Sequence, residues 1–152
     1  MVDNGGTERP TRLREGGMGK QRILLVEDDA RLREVFARAL QRAMAAESLD
    51  VAFVEAGSLA EARERLRERG LDAALIDVRL PDGNGLDLVG EIHDGGVGSP
   101  IPTLVLTASL ETSVAGRAME AGARGALSKV VSMPETVEAI ERLFDAPIEG
   151  QR

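Results

Sequence analysis

Five short apolar runs punctuate the chain, at 23–26, 51–54, 73–76, 103–106 and 126–127. Each is apolar at consecutive positions rather than alternating, the pattern of strands covered on both faces. The last run is the weakest, two residues of modest bulk. Helical patterns lie between them. Leu32, Val35, Phe36, Ala39, Leu40 and Ala43 recur at helical spacing and predict a first helix that turns this face to the core. Ser58 followed by Glu61 forms a capping box that opens a second helix through Arg69, with Gly70 as its stop. Leu86, Val89 and Ile92 mark a third helix. A fourth, near 110–121, is rich in alanine and interrupted by Gly116, which costs about 1 kcal/mol relative to alanine, so it is expected to be the least stable. Ser132 and Glu135 form a second capping box before a last helix carrying Val137, Ile140, Leu143 and Phe144. The alternation predicts an α/β fold, a (βα)5 doubly wound parallel sheet with right-handed crossovers.

Composition narrows the class. At 152 residues the chain has the size of one domain. Residues 1–20 are expected to be a mobile tail, 21–145 the folded domain and 146–152 a short C-terminal tail. With three phenylalanines and no tryptophan or tyrosine, the core must be aliphatic. The absence of cysteine excludes disulfides and thiolate metal sites. A net charge of −7 argues against direct nucleic-acid binding. No apolar run has the length of a membrane span, and the N-terminus lacks an apolar signal core, so a cytoplasmic location is expected.

Polar residues at the carboxyl ends of parallel strands converge on one rim, so those positions are where chemistry is sought. The first strand ends in Glu27, Asp28 and Asp29, the third in Asp77, the fourth in Thr107, and Lys129 follows the fifth. Clustered carboxylates raise one another's pKa unless a cation relieves them, and an oxygen-lined site suits Mg2+. Such a site has the charge balance for phosphoryl transfer, with Asp77 as nucleophile and Thr107 and Lys129 as partners for phosphoryl oxygens. Each residue alone has a plainer role. Asp28 or Asp29 would serve as a helix cap, Asp77 as the start of a turn, Thr107 as a strand-end hydroxyl and Lys129 as a solvated charge. His93, the sole histidine, is read as inert. The argument rests on all four sites falling in order at successive strand ends.

The segments ILLVEDDARLR at 23–33, ALIDVRLPDGNGLDL at 74–88, TLVLTA at 103–108 and GALSK at 125–129 resemble the receiver domains of two-component response regulators. With the strand–helix alternation, the resemblance covers about residues 21–145. It implies a flavodoxin-like strand order 2-1-3-4-5 and aspartyl phosphorylation on Asp77. It further implies an Mg2+ (or Mn2+) ion held by Asp28, Asp77 and the backbone carbonyl of Arg79, with Glu27 acting indirectly through water. Thr107 and Lys129 would contact the phosphoryl group, and Asp29 would cap the first helix. Ala108, Ser109 and Ala126 would form the switch region.

Two positions depart from the family pattern. Ala126 stands where an aromatic ring usually reorients, and Val130 stands where a cis proline usually follows the lysine. The Lys129–Val130 bond is therefore expected to be trans. Switching is expected to fall on residues 108–122, with the space of the missing ring open or filled by Met119. The implied partners are a histidine kinase or a histidine phosphotransfer protein upstream, and a downstream protein or an output domain outside this sequence. The protein would be a switch that assists its own phosphorylation and dephosphorylation rather than an enzyme in the ordinary sense. Two other readings compete. One is a pseudo-receiver that binds partners without phosphorylation, which Ala126 keeps in play. The other is an aspartate-nucleophile phosphohydrolase, which the Glu at position 27 and the lack of a cap insertion disfavour.

Overall fold

The computed structural model describes residues 20–108, 112–129 and 132–145. The two terminal tails (apart from Lys20), Ser109 and the peptide bond to Val130 lie outside the described residues. In chain order the elements are β1 (Gln21–Val26), α1 (Ala30–Ala46), β2 (Val51–Ala56), α2 (Leu59–Arg67) and β3 (Ala73–Asp77). A two-residue pair follows, β4 (Arg79–Leu80) and β5 (Gly83–Asn84). Then come α3 (Gly85–His93), β6 (Thr103–Thr107), α4 (Thr112–Ala121), β7 (Gly125–Ser128) and α5 (Met133–Asp145). The five long strands form one sheet in the order β2-β1-β3-β6-β7, every neighbouring pair parallel. With the β4–β5 hairpin set apart, this is the 2-1-3-4-5 order expected.

Alternate residues of each strand supply two separate cores, since successive side chains point to opposite faces. Leu24, Val26, Ala74, Ile76 and Val105 face one side, with Leu59, Ala62 and Leu66 of α2, Leu88, Val89 and Ile92 of α3, and Ala118 of α4. Ile23, Leu25, Ala73, Leu75, Leu104 and Leu106 face the other, with Leu40 and Met44 of α1 and Val137, Ile140, Leu143 and Phe144 of α5. β3 is buried along its whole length. Each fully buried leucine or isoleucine here contributes about 1.5–3 kcal/mol. The aliphatic composition thus fills two layers without aromatic bulk.

Three expectations need correction. The buried stripe of α1 is Ala37, Leu40 and Met44, with Phe36 and Ala43 half-buried. Leu32 and Val35 are 46% and 58% exposed. At 100° per residue the stripe of Ala37, Leu40 and Met44 turns Val35 to the opposite side of α1 and Leu32 to its flank, so both reach solvent. The second helix ends at Arg67 rather than Arg69. Arg69 already adopts a left-handed backbone (φ 67°) ahead of Gly70, and its carbonyl accepts from Arg22 Nη1 at 3.4 Å. Met119 does not fill the space beside Ala126: it is 54% exposed, and α4 turns Ala118 inward instead.

The capping residues behave as their chemistry dictates. Ser58 Oγ accepts from Glu61 N at 3.1 Å, while Glu61 Oε1 accepts from Gly57 N at 2.7 Å. Ser132 and Glu135 exchange bonds in both directions at 3.3 Å. A further cap arrives from outside the helix. Asp82, in the turn between β4 and β5, accepts from Leu59 N at 2.8 Å and Ala60 N at 3.0 Å. The loop after Asp77 is thereby fastened to the N-terminus of α2. Arg63 of α2 also grips Glu91 of α3 through two bonds of 2.9 and 2.7 Å.

The amides of Leu59 and Ala60 hold the Asp82 carboxyl below the usual carboxylate range. A depressed folded-state pKa gives stability that is present above the unfolded-state pKa and is lost as pH falls through the folded value. Asp82→Asn is therefore expected to lower the thermal midpoint at neutral pH. That deficit should shrink as the pH drops below about 4, the ordinary aspartate range. Thermal melts of both proteins across this range measure it.

Candidate functional site

The strand register gathers the polar residues. Val26 pairs with Ile76, so Glu27 stands level with Asp77 at the ends of adjacent strands. Asp77 pairs with Leu106, which puts Thr107 one residue beyond it on the next strand. Thr107 pairs with Ser128, which brings Lys129 to the same rim. Backbone bonds extend the ladder past the strand ends: Glu27 N to the Ala56 carbonyl, Val78 N to Leu106, and Lys129 N to Thr107. One open cleft is lined by Glu27, Asp28, Asp77, Arg79, Thr107, Ala108 and Lys129. Ala126 is not part of it. It lies mid-strand in β7, half-buried against the core shared with α3 and α4.

Lys129 Nζ donates to Glu27 Oε1 at 2.5 Å and to Asp77 Oδ2 at 2.8 Å. Both carboxylates are nearly inaccessible, Glu27 at 5% and Asp77 at 6% exposure. Burial alone would lower the Lys129 pKa. The hydrogen bonds to Asp77 and Glu27 outweigh it and hold the ammonium above its ordinary value. Asp28 is exposed, and oxygens of Glu27, Asp28 and Asp77 lie within 4.8 Å of one another.

Of the cleft's cations only Lys129 is bonded to the three clustered carboxylates, so acid oxygens outnumber their bonded cation within this small volume. A hard divalent cation matches that surplus in charge and in donor type, so the residues fit Mg2+ or Mn2+. Asp29, by contrast, is the cap of α1, its Oδ1 accepting from Leu32 N at 3.0 Å. Asp28 is thereby left to face the cleft. Glu27 Oε2 accepts from Asp29 N at 3.1 Å, which fixes the second oxygen of that carboxylate.

The loop after Asp77 is built around a close approach. A Cβ on Gly85 would lie 2.0 Å from the Asp77 carbonyl oxygen, so no other residue fits without moving the backbone. Gly85 N donates to the Val78 carbonyl at 2.7 Å, and the Asn84 side chain caps α3 through Leu86 N at 2.8 Å. Arg79 N approaches Asp77 Oδ1 at 3.4 Å. The chain thus leaves the strand, makes the β4–β5 hairpin and returns to the same peptide.

Several residues of this region were not singled out by sequence reasoning. Gly85 and Asn84 sat in a segment read only as a turn. Arg117 and Ser113 of α4 line the cleft opposite the acids, and no spacing rule points to them. Arg33 of α1, between Leu32 and Val35, bonds the Glu27 carbonyl at 2.7 Å and Glu55 at 2.8 Å. Thr107 is buried at the end of β6, as its position implied.

Residues 23–141 match the model of the response regulator receiver domain family. The chain is 35% identical over 123 residues to the response regulator protein PilR of Pseudomonas aeruginosa, covering 81% of this chain and 26% of PilR. It is 33% identical over 119 residues to the swarming motility regulation protein RssB of Serratia marcescens, covering 78% of this chain and 51% of RssB. The chain therefore spans about a quarter and about half of these two relatives. Among solved structures, a response regulator protein from Burkholderia pseudomallei with a phosphorylated aspartic acid, calcium ion and citrate aligns at a TM-score of 0.63 and 25% identity, covering 82% of this chain and 66% of that one. On the matched family model and the sheet that carries it, this chain belongs to the response regulator receiver domain family.

Proposed function

We propose that residues 21–145 act as a phosphoacceptor switch, taking a phosphoryl group onto Asp77. The observation that carries this reading is the convergence of Glu27, Asp28 and Asp77 around Lys129 at one sheet edge. The phosphorylated aspartic acid and calcium ion of the Burkholderia relative support it. Asp28, Asp77 and the backbone carbonyl of Arg79 would hold Mg2+ or Mn2+, with Glu27 acting through water. When bound, that cation supplies positive charge to the phosphoryl oxygens.

The protein's own residues do the rest. A carboxylate needs no base at neutral pH, so an Asp77 oxygen attacks phosphorus directly. The donor's bond to phosphorus breaks, and its electron pair leaves with the donor, which for a phosphohistidine is an imidazole nitrogen. Lys129, drawn off Asp77 Oδ2, offers its ammonium to the new phosphoryl oxygens, and the Thr107 hydroxyl donates to another. The donor would be a histidine kinase or a histidine phosphotransfer protein. The response would pass through residues 108–122 to a partner protein or to a domain outside this chain. Among the described residues no helix is long and apolar enough to cross a membrane. We place the protein in the cytoplasm, without direct contact to nucleic acid.

Incubation with Mg2+ and acetyl phosphate should add one phosphoryl group by intact mass, and Asp77→Asn should add none. Unchanged labelling of that variant would sink the assignment to Asp77, and no labelling of the parent protein would leave the non-phosphorylated binding module as the better reading. Asp28→Asn should lose most of the metal's stabilising effect. Because Asp29 rather than Asp28 caps α1, the metal-free variant should be more stable, by up to about 1 kcal/mol, and melt higher as repulsion is relieved. A lower metal-free melt would make Asp28 a structural residue. Lys129→Ala should destabilise the metal-free protein by about 3 kcal/mol, because it leaves Glu27 and Asp77 buried without their shared counter-ion. Added Mn2+ should recover much of that loss in a thermal melt.

A further inference from the structure

Arg33 stands outside the acidic cluster, yet its guanidinium is committed to the turn that carries the cluster. Nη1 donates to the Glu27 carbonyl at 2.7 Å, and Nε donates to Glu55 Oε1 at 2.8 Å. Glu55 is the penultimate residue of β2, and Glu27 directly follows β1. One planar fork therefore ties together the ends of two neighbouring strands, a geometry that a lysine point charge cannot reproduce. The Arg33 side chain is 17% exposed and that of Glu55 36%, so these bonds are partly shielded from water. The residue directly after β2 helps keep its space open: a Cβ at Gly57 would lie 3.0 Å from Arg33 Nη1.

The bonded atom is what matters. The Glu27 carbonyl belongs to the peptide that joins Glu27 to Asp28, and the orientation of that peptide sets where the Asp28 carboxylate points. Asp29 N, one peptide further, is held by Glu27 Oε2. We infer that Arg33 is a positioning residue for the metal site, fixing the Glu27–Asp28 peptide so that Asp28 faces Asp77. This rests on the metal-dependent reading proposed above.

Charge and geometry make opposite demands here, which renders the inference testable. A guanidinium near a divalent ion repels it, so by Coulomb interaction alone its removal would tighten metal binding. A positioning role requires the reverse.

The test titrates full-length protein with Mn2+ alone and reads free Mn2+ by electron paramagnetic resonance. Arg33→Ala should weaken binding about tenfold, as loss of an outer partner of a ligand does. Arg33→Lys should fall between it and the parent protein. Arg63→Ala is the control: it removes the same charge and the ion pair to Glu91, from a side chain that does not line the cleft. It should keep the parent affinity. A second measurement needs no metal: backbone amides of Asp28 and Asp29 should exchange faster in Arg33→Ala than in the parent or in Arg63→Ala. Unchanged or tighter Mn2+ binding in Arg33→Ala, or an equal loss in Arg63→Ala, overturns the inference. Should the parent protein itself bind no Mn2+, the metal-dependent reading fails. Amide exchange then still decides whether Arg33 holds the turn.

Discussion

Like charge at one edge of a parallel sheet is the constraint around which this molecule is organised. The register of β1 and β3 forces Glu27 and Asp77 side by side, both almost wholly buried, with Asp28 close by. Left alone, such a cluster would protonate or push the strand ends apart. Lys129 prevents both by bridging the two buried carboxylates, and it reaches them from 102 residues further along the chain than Glu27. The ammonium does not neutralise the cluster. The charge left over is what would admit a cation, and a carboxylate that shares its counter-ion remains available as a nucleophile.

Around this centre, attachments converge on the two carboxylate turns. The Glu27–Asp28 turn is held from α1 by Arg33 and by the Asp29 cap. The loop beyond Asp77 is held by Gly85 N, by the β4–β5 pairing and by Asp82 on the N-terminus of α2. Few of these are strong singly, since a typical net hydrogen bond is worth about 1 kcal/mol. Together they place the ends of β1 and β3 in a network that includes α1, α2 and α3.

What the sequence discloses, and what it hides, follows from the range of each signal. Strand ends are local: an apolar run that stops at a polar residue marks its own boundary, so Glu27, Asp77, Thr107 and Lys129 could be read in order. Capping boxes are local too, and both lie where the spacing puts them. The buried face of α1 is not local. Leu32 and Val35 satisfy helical spacing, yet the helix is rotated so that Ala37, Leu40 and Met44 face the sheet, and spacing alone does not set that rotation. Arg33 is hidden for a related reason, because an arginine on a surface helix looks solvated until the fold brings a carbonyl and a carboxylate within reach. Met119 failed on rotation: adjacent Ala118 takes the inward position on α4.

The contact between Gly85 and the Asp77 carbonyl has an evolutionary consequence. The segment from Asp77 to Gly85 closes on itself, so its members constrain one another through the backbone as much as through side chains. Single-residue drift at position 85 is blocked, since even a methyl group would strike the main chain at Asp77. Change in this loop must therefore come as concerted replacement of the whole turn. In a lineage descended from this protein, loops of altered length would carry a glycine that has moved with them rather than one that has been substituted.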